Sequence, residues 1–132
     1  MSDNGLVTRT STHAMAETKR RLLAAIEQRG LIIFARIDHA ANAASTNMTL
    51  RPTELIVFGA AKGGTPLMQE RQTAGLDLPL KVLVWEDAEG KTSLTYNDPM
   101  WIAQRHGLGN ASAEAVTAME GVLEAVMREA TI

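Results

Sequence analysis

A chain of 132 residues, 45% hydrophobic and 21% charged, is long and apolar enough to bury one core of ordinary size, which excludes intrinsic disorder and any need for a metal or disulfide staple. The absence of cysteine excludes disulfides, thiolate nucleophiles and sulfur-based zinc sites. A formal net charge of −2 and a pI near 5.9 supply no concentrated basic surface, so neither nucleic acid nor an anionic membrane is an expected partner.

Met1 to Asn4 are set aside as a disordered start, and residues 5–132 are expected to form a single domain. No basic-then-apolar leader or membrane-length apolar run is present, which points to a cytoplasmic protein. Leu6-Val-Thr-Arg-Thr10 alternates apolar and polar residues and reads as a short half-buried strand. From His13 to Arg29, Met15, Leu22, Leu23 and Ile26 mark one face of an amphipathic helix that Gly30 stops, with Ser11 or Thr12 as its cap. Leu31 to Ile37 is apolar at nearly every position and predicts a central strand covered on at least one face. Asp38 then caps a short helix from His39 to about Ala44. Pro52 leads into a strand over Glu54–Phe58. Gly59 to Gly64 reads as a permissive loop before a short helix from about Pro66 to Gln72.

Lys81–Glu86 and Thr92–Tyr96 predict a hairpin, with Gly90 at a positive-φ turn position. Asp98-Pro99 opens a helix that His106-Gly107 closes. A last helix, starting near Ala111 or Ser112, carries the apolar stripe Val116, Met119, Leu123, Val126 and Ala130. The sum predicts an α+β domain: a largely antiparallel, twisted sheet of about five strands, with helices packed mainly on one face.

Three segments set polar residues at element ends: Phe34-Ala-Arg-Ile-Asp-His-Ala-Ala41, Phe58-Gly-Ala-Ala-Lys-Gly-Gly-Thr65 and Leu76-Asp-Leu-Pro-Leu-Lys81. Asp38-His39, Phe58-Gly59, Lys62, Gly64-Thr65, Leu78-Pro79 and Tyr96 resemble the pattern of the family catalogued as domain of unknown function 302, over roughly Leu6 to Leu108. The resemblance implies a compact α+β fold and no established activity or catalytic residue. Ala60-Ala61 depart from the family's usual Asn-Pro, removing an amide donor and a rigid turn residue from that loop.

Among groups that carry chemistry, Asp38 and His39 pair a carboxylate with an imidazole that titrates near neutrality, although a capping Asp has its oxygens committed to backbone N–H groups. Lys62, Gly63, Gly64 and Thr65 combine a positive charge, open backbone and a helix start, suited to an anion. They are not a P-loop, because the lysine precedes the glycines. Tyr96 adds a hydroxyl that reads either as a member of this cluster or as a cross-strand aromatic with a wet end. His13, His39 and His106 lack the spacing of a zinc site, and no nucleophile elbow or dinucleotide fingerprint is present, so neither metal nor cofactor is expected. Two functions follow as expectations: binding of a small anionic or polar ligand at Asp38, His39, Lys62 to Thr65 and Tyr96, or a non-catalytic module acting as a homodimer.

Overall fold

Strict inward–outward alternation in two adjacent strands organises the molecule. In the computed structural model, which describes residues 4–132, β3 (Thr53–Gly59) and β4 (Leu80–Glu86) lie antiparallel, with Ile56 opposite Val82 and Phe58 opposite Leu80. Because successive strand side chains alternate faces, Ile56, Phe58, Val82 and Val84 all point to one side, where each is fully buried. β5 (Thr92–Asn97) continues the hairpin from β4 and sets Leu94 on the same face beside Val84. β1 (Leu6–Thr10) joins the outer side of β5, and β2 (Ile32–Asp38) joins the outer side of β3. The result is a five-stranded, wholly antiparallel sheet of order β1-β5-β4-β3-β2.

Two helices cover the inner face. α1 (Met15–Gln28) contributes Leu22, Ala25 and Ile26, and α5 (Ala113–Thr131) contributes Leu123, Val126, Met127 and Ala130 to one core cluster with the five strand residues. Burial of each large side chain there is worth about 1.5–3 kcal/mol, so this layer supplies the main driving force for the fold. A smaller cluster, Leu67, Ala74, Ala103, Val116 and Met119, joins α3 (Ala61–Glu70), the helical turn Gln72–Asp77, α4 (Pro99–His106) and the first half of α5. All five residues of the expected α5 stripe are buried.

The predicted fold class is the observed one, and most element ends follow the sequence signals. Asp38 Oδ1 accepts from Ala41 N at 2.9 Å to cap α2 (His39–Ala44), and Asp98 Oδ1 accepts from Met100 N at 2.9 Å at the start of α4. Gly107 ends α4 in the left-handed region at φ 66°. The start of α1 differs from expectation. Ala14 is its N-cap, while Ser11 Oγ instead accepts from His13 N at 3.0 Å and lies 2.7 Å from Thr18 Oγ1.

Two larger corrections concern β2 and α3. β2 is an edge strand, not a central one: Ile33 faces the helix layer opposite Phe58, Ile32 points to the other face and is exposed, and a slip of register between Ile33 and Ala35 displaces Phe34 from the ladder and leaves it exposed as well. α3 begins at Ala61, so Gly63 and Gly64 are helical and Pro66 lies inside the helix. The turn tolerates this because Ala60 is extended and Gly63 N already bonds Ala60 O at 2.9 Å. The disorder expected at the start of the chain falls on residues outside those described, save Asn4, whose Oδ1 accepts from Leu6 N at 3.1 Å.

Two measurements test this architecture. Gly5 sits at φ +78°, and a Cβ there would lie 2.5 Å from Trp101 Cδ2. Gly5→Ala is therefore expected to destabilise the fold by about 2–3 kcal/mol, read as a lower urea midpoint at unchanged slope. Glu54, buried on β3, accepts from Lys19 Nζ at 3.1 Å and Arg36 Nε at 2.7 Å. Burial pushes its pKa up, but the Arg36 and Lys19 hydrogen bonds outweigh that and hold it below the usual carboxylate range. A depressed folded pKa contributes stability above the unfolded value of about 4.3 that is lost as pH falls through the folded value. Glu54→Gln should accordingly flatten the acid limb of a pH–stability curve while lowering stability at pH 7.

Candidate functional site

The sheet register decides which of the sequence candidates meet. Asp38 pairs with Glu54 at one end of β2 and β3, while Ile32 pairs with Gly59 at the other. Six residues of strand, about 20 Å, thus separate Asp38-His39 from the start of α3. Tyr96 lies on β5, with β4 and β3 between it and β2. A single cluster of Asp38, His39, Lys62 to Thr65 and Tyr96 is therefore not formed within the chain, because the polar ends belong to opposite ends of one sheet.

Each candidate has its own setting. Asp38 caps α2 and His39 is exposed as the first residue of that helix. Thr65 Oγ1 donates back to Ala61 O at 2.6 Å, which commits the hydroxyl to its own helix. Tyr96 faces the core beside Val82, and its hydroxyl is pushed up in pKa by burial and then by Asp98, Glu124 and Glu120. It is a cross-strand aromatic with a polar tip.

Lys62, Gly63 and Gly64 do line a cavity of about 400 Å³. Its walls are the ends of β2, β3 and β4 through Phe34, Gly59 and Leu80, the first turns of α3, Leu78-Pro79, and the α5 residues Ala118, Met119 and Val122. The Leu78–Pro79 peptide is cis. Lys62 is the one charged side chain in a lining otherwise made of apolar residues and glycine. Ala60, the residue before α3, provides no side-chain cap, and of the first-turn amides Gly63 N bonds Ala60 O. A volume of this size is in the range of small-molecule pockets. The arrangement suits an apolar body with one anionic end more than a wholly polar ligand.

Polar links hold the wall formed by Gln72–Leu78. Asp77 Oδ2 lies 2.6 Å from His106 Nε2, and both Asp77 oxygens accept from Arg105 Nη1 at 3.1 Å. His106 Nδ1 in turn lies 3.0 Å from Thr73 Oγ1. With side-chain exposures of 7% for His106 and 12% for Asp77, this group ties the segment to the end of α4. Lys81 Nζ, half-buried, donates to the carbonyls of Asp77 and Pro79, and burial lowers its pKa against the opposing pull of Asp77. Glu70, at the end of α3, accepts from Ser112 Oγ at 2.6 Å and Gly109 N at 2.7 Å; those bonds lower its pKa.

Sequence reasoning singled out Asp77 and His106 separately but not their pairing, and it read Met119 only as part of a packing stripe. Twenty-nine residues separate the pair, and no local spacing announces such a contact. Among the described residues no group of His, Cys, Asp and Glu could hold a metal ion.

Comparison with known proteins places this geometry. The chain is 51% identical over 117 residues to proteins named fluoride-specific ion channel FluC 1 from Brucella suis biovar 1 and Brucella abortus biovar 1, covering 89% of this chain but 46% and 43% of theirs. It thus spans less than half the length of these relatives. The crystal structure of an uncharacterised conserved protein DUF302 from Bacillus stearothermophilus superposes with a TM-score of 0.84 at 18% identity, covering 96% of this chain and 98% of that one. The model of the domain of unknown function DUF302 matches residues 7–126. The chain belongs to that family.

Proposed function

We propose that this domain binds a small amphipathic molecule, its apolar body among Phe34, Leu80, Met119 and Val122 and its anionic end at Lys62. The observation that carries this reading is the cavity of about 400 Å³, whose lining is apolar except for one lysine at the uncapped start of a helix. Burial of a short hydrocarbon chain supplies about 0.8 kcal/mol per methylene. The exposed lysine and the helix start then add about 1 kcal/mol for a carboxylate and orient it.

Gly63 and Gly64 support the reading sterically. Nothing lies within 4 Å of a Cβ built at Gly63, and at Gly64 the first contact is Leu78 Cδ1 at 3.4 Å. Two glycines in a helix cost about 1 kcal/mol each relative to alanine, and here they keep the backbone open to the cavity. The proposal does not extend to transport. No helix among the described residues is long and apolar enough to cross a membrane, and the channel name belongs to relatives more than twice the matched length.

Titration of isotopically labelled protein with decanoate, decanol and inorganic phosphate tests the proposal. Decanoate is expected to shift the amide signals of Lys62 to Gly64 and Val122, with decanol binding about fivefold more weakly. Lys62→Met should abolish that difference, and Ala118→Trp, from an exposed position on the cavity wall, should block both ligands without unfolding the protein. If neither amphiphile shifts these signals, or if phosphate alone reproduces the shifts, the reading fails.

A further inference from the structure

From Ile32 to Pro52 not one residue is buried, although the segment contains β2 and α2. It also carries Ile32, Phe34, Ile37, Met48 and Leu50, five of the nine exposed large hydrophobic residues among those described. An α-helix of six residues with no buried side chain has little intrinsic stability. β2 is moreover a sheet edge, whose outer N–H and C=O groups form a template for another strand.

The occupant of that edge follows from the charge pattern. If a second copy pairs antiparallel about a two-fold axis normal to the sheet, opposed residues must share a face, because helix face adjoins helix face. Phe34 sits at the register slip, which leaves Ala35 to Asp38 as the regular part of the edge. Setting Ala35 opposite itself runs the irregularity into the new ladder. Setting Arg36 opposite itself stacks like charges, which is unfavourable across a strand pair. With Ile37 opposite itself, each Arg36 faces the second copy's Asp38, giving two ion pairs on one face and an isoleucine pair on the other. Both charges are available for this. Arg36 gives Nε to Glu54 while its side chain stays 47% exposed, and Asp38 uses Oδ1 on Ala41 N.

We propose that the chain dimerises through β2 in this register, forming one continuous ten-stranded sheet. The pairing has a consequence for the cavity. The pairing ends at Asp38, so the start of the second copy's α2 at His39 comes beside Ala35, one residue from Phe34, which lines the cavity and is 51% exposed in the single chain. The dimer thereby covers that wall and brings the otherwise distant Asp38-His39 segment to it from the other copy. This proposal goes beyond ligand binding and stands or falls separately from it.

Light scattering across a dilution series should show a dimer of the unaltered chain. Ile37, 36% exposed, tolerates charge in the single chain, so Ile37→Glu and Ile37→Lys should each remain folded by circular dichroism yet weaken the dimer by roughly 100-fold. Mixing the two variants should restore dimers, because the opposed side chains then attract. In this cysteine-free protein Ile37→Cys should form a covalent dimer on mild oxidation, whereas Leu83→Cys should not. A monomer at all concentrations, a dimer indifferent to both charges at Ile37, or preferential cross-linking at Leu83 would each overturn the proposal; the last would instead indicate face-to-face packing.

Discussion

The contact of the α5 stripe, together with α1, against the inner face of β3, β4 and β5 is the interaction on which the rest of the structure depends. Leu123, Val126 and Ala130 meet Ile56, Phe58, Val82, Val84 and Leu94 in one cluster that excludes water from both layers. A sheet with one apolar face is unstable alone, and an amphipathic helix gains most of its stability from such a face. Once α5 is set by this contact, its first half projects beyond the β3–β4 end of the core. There Val116 and Met119 gather α3, α4 and Gln72–Asp77 into the smaller cluster. The cavity lies where those two clusters adjoin, bounded by the sheet ends on one side and by α3 on the other.

Polar groups refine this arrangement without driving it. Glu54 satisfies two cations that reach it from α1 and β2, and so fixes how the helix layer sits over the edge of the sheet. Asp77, His106, Arg105 and Thr73 fix the cavity's outer wall to α4, and Glu70 fixes the far end of α3 to the start of α5. A buried polar group costs free energy unless it is bonded. No buried side-chain nitrogen or oxygen among the described residues lacks a hydrogen-bond partner. These links therefore add specificity to a shape that apolar burial already favours.

The same logic separates the two halves of the sheet. β3, β4 and β5 have neighbours on both sides and give the core its regular rows, whereas β2 has one neighbour and a displaced Phe34. The segment from β2 to Pro52 is thus held chiefly by its hydrogen bonds to β3 and by the Asp38 cap. It is where the chain has most surface to offer another molecule, and it borders the cavity through Leu31 and Phe34.

Much of this was legible in the residues because it is local. The strand over Glu54–Phe58, the β4–β5 hairpin, the period of the α5 stripe, the Asp38 and Asp98 caps and the Gly107 stop depend on neighbours a few positions away, and each appears where the pattern places it. The family likewise followed from short motifs at element ends. What the sequence could not determine is where those ends lie relative to one another. Antiparallel pairing carried Asp38-His39 and Lys62 to Gly64 to opposite ends of β2 and β3, and packing of α4 against Gln72–Asp77 joined Asp77 to His106. Strand order, the edge position of β2 and the cavity itself were decided by tertiary structure, because each depends on contacts between residues distant in the chain that no local spacing encodes.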